Sequence, residues 1–224
     1  MDLPLLASYC STVGIELSPE QLEGFVKFRQ RLYELNEVMN LTRVPFEECE
    51  LRHFVDSLLI SEFIEDRTHV LDVGCGPGFP SWPLACTRPR VEVTAMDSSG
   101  KMLKILREIT LPNLTVFEGR AEDADFFGAF DVVTGRAVAP LSIQLEISAP
   151  FAAVGGGVIP FRTPNEIDEI ERFDASRLGL QLESIEEREL PGTDVVRAFP
   201  LFRKVAKTPK AYPRSWAAIK KKPL

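Results

Sequence analysis

The chain has 224 residues, 45% of them hydrophobic and 26% charged, a balance that builds a full core without disulfide or metal staples. Its four cysteines (Cys10, Cys49, Cys75, Cys86) form no Cys-x-x-Cys pair, and His53 and His69 stand at no ligand spacing. This argues against a zinc centre and for buried thiols in a reducing compartment. No run approaches the roughly 20 apolar residues of a membrane span, and Met1-Asp2-Leu3-Pro4 has neither the basic nor the apolar region of a secretory signal, so the reading is a soluble, cytoplasmic protein.

The first clear element starts at Ser18-Pro19-Glu20-Gln21, where Ser18 caps, Pro19 suits the first helical position and Gln21 completes a capping box. Leu22, Phe25, Phe28 or Arg29, Leu32, Leu35 and Met39 then recur every three to four residues, which predicts an amphipathic helix over 19–39. A second helix is expected over 45–64, with Phe46, Phe54, Leu58 and Phe63 inward. From residue 69 the texture alternates: strands at 70–73, 91–97, 114–117, 130–134 and 157–161, with helices around 84–86 and over 99–110, 141–153 and 165–178. Two last strands, 180–189 and 195–206, joined by Leu190-Pro191-Gly192-Thr193-Asp194, read as an antiparallel hairpin. The pattern is that of a doubly wound α/β fold with a mostly parallel sheet. It divides into an N-terminal helical extension (1–66), an α/β core (67–207) and a basic tail (208–224), one structural domain overall.

Charge is unevenly spread. The net charge is −7, yet from Val195 to Leu224 there is no acidic residue and there are nine basic ones, so the tail carries +9 and the body −16. The segment either meets phosphates or is simply solvated.

Four motifs carry chemistry. Asp72-Val73-Gly74-Cys75-Gly76-Pro77-Gly78-Phe79-Pro80 runs from a hydrophobic strand into Gly-x-Gly-x-Gly and then a helix. Dinucleotide sites use Gly-x-Gly-x-x-Gly, with a pyrophosphate at the helix start. Here the third glycine comes one residue early, which suits a ligand without a pyrophosphate, such as S-adenosylmethionine. Asp97 ends the second strand 23 residues after Gly74, where a carboxylate can accept from both ribose hydroxyls or cap the turn after Ser98. Arg120-Ala121-Glu122-Asp123 follows the third strand, placed to offer amides and a carboxylate to an adenine ring, or to be a surface turn. Gly135-Arg136-Ala137-Val138-Ala139 follows the fourth. No Asn/Asp-Pro-Pro-aromatic run for exocyclic amine methylation stands there, and no cysteine for covalent pyrimidine attack. These motifs leave Gly74, Gly76, Gly78, Asp97 and Ser98 as candidate cofactor contacts. They leave open a small-molecule methyltransferase, a non-enzymatic partner protein that keeps the pocket, and a nicotinamide dehydrogenase, the last disfavoured by the glycine spacing.

With these residues in order, the chain resembles the bacterial 16S ribosomal RNA guanine-N7 methyltransferases, the glucose-inhibited division protein B family. The likeness is carried by Asn40-Leu41-Thr42, Arg52-His53-Phe54-Val55-Asp56-Ser57-Leu58, the 72–80 loop, and Asp97-Ser98 with Lys101. It continues through Arg120-Ala121-Glu122, Arg136-Ala137-Val138-Ala139, Leu190-Pro191-Gly192 with Arg197, and Tyr212-Pro213-Arg214. It implies a class I, Rossmann-like methyltransferase with a seven-stranded sheet. It further implies Gly74, Phe79, Ala121, Glu122 and Arg136 around S-adenosylmethionine, and Asn40, His53, Lys101, Arg120, Arg136 and Arg197 toward the RNA. The expected partner is 16S rRNA or the small ribosomal subunit, the expected state a monomer, and no side chain is assigned as acid or base, because guanine N7 offers a lone pair without a proton. Whether Arg136 serves donor or acceptor stays open. Ser81-Trp82, Met102, Phe161-Arg162-Thr163-Pro164 and Ser215-Trp216-Ala217-Ala218 depart from the family's usual residues.

Overall fold

The computed structural model describes residues 3–224. Helix α1, Pro4–Thr12, was not foreseen; it buries Leu6, Tyr9 and Cys10 at helical spacing, and buried Glu50 accepts from Leu6 N at 2.9 Å, meeting a first-turn amide that has no partner within the helix. Helix α2, Pro19–Met39, has the expected capping box and buries Phe25, Phe28, Arg29, Leu32 and Leu35. Asn40 closes it in the left-handed conformation (φ 50°), its N–H bonding back to the Asn36 carbonyl.

The 45–64 segment is not one helix. A 3₁₀ turn at Phe46–Glu48 leads into a π-helical turn, Glu50–Val55, then α3, Asp56–Leu58, and a 3₁₀ turn at Ser61–Phe63. Phe54 and Leu58 are buried, while Phe46 and Phe63 are half-buried. The α-helical period fails where Arg52, His53 and Asp56 turn to partners on the sheet, a common setting for π turns.

The sheet strands are β1 (His69–Val73), β2 (Glu92–Asp97), β3 (Leu114–Glu118), β4 (Phe130–Arg136), β5 (Ala152–Phe161), β6 (Leu180–Glu189) and β7 (Val196–Lys204). Their order is β3-β2-β1-β4-β5-β7-β6, parallel except that β7 runs antiparallel to both neighbours, as the hairpin reading requires. Side chains alternate between two cores. Val70, Val93 and Ala95 face one shared with α1–α3, α4 (Ser81–Thr87) and α5 (Lys104–Glu108); Leu71, Val133 and Val158 face one shared with α6 (Leu141–Ser148) and α7 (Ile167–Arg172).

Helix boundaries differ from expectation for local reasons. Asp97 Oδ1 accepts from Ser99 N at 2.8 Å and holds 99–103 as turns, so α5 starts only at Lys104. β5 is longer than expected because its register against β4 shifts between Phe130 and Val132. At Gly156 in β5 a Cβ would lie 2.3 Å from the Asp131 carbonyl. The 165–178 helix breaks at Phe173 between α7 and a 3₁₀ turn at Ala175–Leu178.

The C-terminal stretch is not a free tail. A last helix, α8 (Trp216–Lys221), buries Ile219 completely, and Tyr212, Trp216 and Leu224 pack on the second core. All four cysteines are buried free thiols, and no cluster of metal-ligating side chains occurs among the described residues.

Candidate functional site

Strand order reverses between β1 and β4, and in open α/β sheets ligands bind beyond the carboxyl ends of strands at such a switch point. The glycine loop leaves β1 there. Gly74 and Gly76 adopt φ of 73° and 57°, conformations that disfavour any other residue, while a Cβ on Gly76 would meet nothing within 4 Å. The loop is tied to β2: the Gly74 and Cys75 amides donate to the Met96 carbonyl at 2.8 and 3.0 Å, and Gly76 N donates to Asp97 Oδ2 at 2.9 Å. Asp97 thus fastens the loop and the following turn with one oxygen each, and each oxygen keeps a lone pair for a ligand.

A cleft opens beside it, lined by Val73, Gly74, Met96, Asp97, Ser98, Gly119, Arg120, Ala121, Glu122, Val138, Ile147 and Trp216. Its walls are mostly apolar. Its charged members are Asp97, Glu122 and Arg120, and Arg120 lies 3.5 Å from Glu122. A pyrophosphate would meet these carboxylates at a cost, whereas a ligand that combines a nucleoside with positive charge is suited to them. Below the loop, Asp72 is fully buried and its carboxyl is pushed up to about 6 by desolvation. One of its oxygens accepts from Ser81 N at 3.1 Å and from the Ser81 hydroxyl. Ser81 therefore fits the buried Asp72, and Trp82 fills the space under α2, with its ring centroid 5.1 Å from Phe25 and 4.4 Å from Phe28.

A second constellation lies at the end of β4. Asp56, completely buried, accepts from Arg136 Nη1 and from Arg197 Nε on β7, both at 2.6 Å. Arg136 also donates to the Arg52 carbonyl at 3.2 Å and lies 3.2 Å from His53 Nδ1, with its guanidinium 5.4 Å from the centre of the Phe79 ring. The next residue, Ala137, is forced to a φ of 55°. His53 stacks on Phe79 at 4.2 Å and 3°. Because arginine can only donate, Nδ1 accepts and Nε2 carries the proton, given to Thr42 Oγ1 at 2.7 Å. Burial, then the charges of Arg136 and Arg52, depress the His53 pKa to about 3, in agreement with this neutral tautomer.

This has a pH signature. Unfolded His53 takes up a proton below about pH 6.5 and folded His53 does not, so the residue costs stability as pH falls from 6.5 toward 3. Asp72 acts oppositely between pH 3.8 and about 6, where the folded carboxyl holds the proton more tightly. In urea titrations at pH 7 and pH 5, His53→Gln is expected to lose about 2 kcal/mol less on acidification than the parent. An equal loss in both proteins would mean that His53 is protonated in the fold.

Compared with known proteins, residues 21–194 match the family described as rRNA small subunit methyltransferase G. Proteins of that name from Lactobacillus johnsonii and Clostridium perfringens are 36% and 35% identical, over 100% and 98% of both chains respectively. The chain belongs to this family. Among solved structures, M. jannaschii TYW2 in complex with AdoMet aligns with a TM-score of 0.54 at 17% identity over 66% of this chain and 74% of that one. A TehB-like SAM-dependent methyltransferase from Corynebacterium glutamicum aligns at 0.52 and 17% over 67% and 88%. These place the sheet among class I methyltransferase folds.

For this member of the rRNA small subunit methyltransferase G family, the structure gathers the sequence-predicted residues in two groups. Gly74, Asp97, Ser98, Ala121 and Glu122 line the cleft, with Gly76 tied to Asp97 beside it. Arg120, expected toward the acceptor, lines it too. Arg136, His53 and Arg197 meet around Asp56. Phe79, expected at the cofactor, is outside the cleft and 3% exposed, because its ring serves as the platform for His53 and Arg136. Asn40 and Lys101 are exposed, Asn40 as the cap of α2. Asp56 has no role assigned by the sequence alone; its signal is an acid three residues after His53 in a mostly apolar run. Arg162, one of the departures, is an internal strut that donates to Gln144, to Glu166 at 3.1 Å and to the Ala139 carbonyl at 3.0 Å.

Proposed function

We propose that the chain methylates N7 of a guanine in 16S ribosomal RNA, with S-adenosylmethionine as donor and S-adenosylhomocysteine as product. By family it is an S-adenosylmethionine-dependent ribosomal RNA methyltransferase; the target atom, the roles of individual residues and a monomer acting in the cytoplasm are our reading. No helix among the described residues is long and apolar enough to cross a membrane. The observation that carries N7 is the state of the groups beside β4. His53 is neutral with both nitrogens engaged, and Arg136 and Arg197 are permanently charged donors held by Asp56. These residues offer alignment and positive charge, and they offer no base. A nucleophile with its own lone pair and no proton to lose suits them.

When bound, S-adenosylmethionine supplies an electrophilic methyl carbon on a sulfonium. The Gly74–Gly78 loop lets the backbone approach the ligand, Asp97 accepts from the ribose hydroxyls, and Ala121 and Glu122 meet the base. Arg136 and Arg197 hold a phosphate or the guanine edge, with Lys101 and Asn40 at the rim. A guanine flipped out or lying in a loop can reach such a site. The chain's contribution is orientation and electrostatics.

The test is incubation of the protein with methyl-labelled S-adenosylmethionine and small-subunit RNA or particles from a bacterium lacking this activity. Label released by mild cleavage specific to N7-methylguanine is the expected result. Label elsewhere in the RNA would overturn the target atom, and no label in any RNA form would overturn the substrate. For the donor side, Asp97→Ala is expected to weaken S-adenosylhomocysteine binding by about tenfold to a hundredfold in calorimetry, the worth of hydrogen bonds to a charged group. Unchanged affinity would move the ribose away from Asp97.

A further inference from the structure

Neither the glycine loop nor the Arg136 constellation accounts for two of the residues that line the cleft, Ile147 and Trp216. Trp216 opens α8, in the stretch read from sequence as a basic tail. The stretch is clamped beside the cleft by Glu146 of α6. Glu146, fully buried, accepts from Arg214 N at 3.0 Å and Arg214 Nε at 2.8 Å, while Ile147, next in sequence, lines the cleft. Arg214 Nη1 donates to the Lys222 carbonyl at 2.9 Å, tying the far end of α8 to the same clamp, and Ile219 is sealed in the second core. Trp216, two residues from the clamp, is half-buried and lines the cleft.

We propose that Trp216 is a nucleoside-binding residue of the donor site: the C-terminal segment is one wall of the cleft, and the indole packs on the purine of S-adenosylmethionine. The lining is chemically mixed: Asp97, Ser98 and Glu122 offer polar groups suited to ribose, amino acid and base edge, while Met96, Ala121, Ile147 and Trp216 offer apolar surface suited to the face of a flat purine. Aromatic packing on a base needs no particular hydrogen-bond pattern, so one indole supplied by the C-terminal segment suffices. The wall and the exposed cations Lys220, Lys221 and Lys222 belong to the same short segment.

The proposal rests on the reading of this cleft as the donor site, and the test separates the two. Binding of S-adenosylhomocysteine, and of methylthioadenosine, which has the nucleoside but no amino-acid part, is measured by calorimetry for the parent, Trp216→Ala, Trp216→Phe and Asp97→Ala. Trp216→Ala is expected to weaken both ligands about tenfold and by the same factor, with Trp216→Phe restoring most of the affinity. Ligand binding should also change tryptophan fluorescence in the parent and leave it unchanged in Trp216→Phe, where only the buried Trp82 reports. Melting temperatures measured without ligand identify any variant that is merely unfolded, and the fluorescence comparison in Trp216→Phe decides independently of Trp216→Ala. If Asp97→Ala weakens binding and the Trp216 variants do not, the wall proposal is wrong and the donor site stands. If Asp97→Ala binds as the parent does, the cleft itself has been misread.

Discussion

Arg136→Ala is expected to lower methyl transfer to small-subunit RNA by about 10²–10³-fold, the range for removing one preorganised charged donor, and to leave S-adenosylhomocysteine affinity within about twofold. The reason is position. Arg136 closes β4 and points into the Asp56, His53 and Arg52 cluster, and it does not line the cleft that holds Gly74 and Asp97. Its removal leaves Asp56 paired with Arg197, so the fold keeps a counter-charge for the buried carboxylate and the loss falls on transfer more than on stability. Single-turnover kinetics at saturating cofactor, run beside calorimetry, separate the effects. A cofactor affinity lost in step with the rate would place Arg136 at the donor and overturn the acceptor role. Arg136→Lys is expected to recover little, because a lysine ammonium cannot serve Asp56, the Arg52 carbonyl and His53 from one planar fork.

What was legible in the sequence was what local pattern encodes. The glycine loop, the acid at the end of β2 and the strand–helix alternation depend on neighbours a few residues apart, and the sheet and the cleft beyond the end of β1 follow from them. What was not legible depends on partners far along the chain. Asp56 and Arg197 are separated by 141 residues, and Glu146 and Arg214 by 68. Nothing in the spacing of acids and bases announces either pair. By charge alone the nine cations after Val195 are indistinguishable, although Arg197, Lys204 and Arg214 have internal partners and the other six are exposed. The 45–64 segment misled for a related reason. Its apolar residues kept an approximate helical period, and the π turn answers to Arg136, which arrives from β4. The resemblance implies Phe79 at the cofactor; that its ring also stacks on His53 depends on a partner 26 residues earlier in the chain and is not announced by the glycine motif.

Removal of the Arg214 side chain should have the largest effect on stability. Glu146 is fully buried, and Arg214 supplies it with two side-chain donors besides a backbone amide. Arg214→Ala leaves that carboxylate without its counter-charge, which typically costs about 3–5 kcal/mol. The cost has a ceiling set by the cheapest way out, and α8 provides one: undocking residues 214–224 returns Glu146 to water at the price of burying Ile219 and Trp216 no longer. Two readouts should therefore part company. The global melting temperature is expected to fall by about 10 °C at most, while trypsin cleavage after Lys220 and Lys221 accelerates well below that temperature. Replacing both partners by apolar residues, Arg214→Met with Glu146→Leu, is expected to restore most of the stability, since well-packed apolar pairs often equal buried ion pairs. Arg214→Ala without accelerated proteolysis or lowered melting would show that apolar packing alone holds the segment. If the double variant restores the melting temperature and also the binding of S-adenosylhomocysteine, then docking of the segment, and not the charge pair itself, completes the donor site.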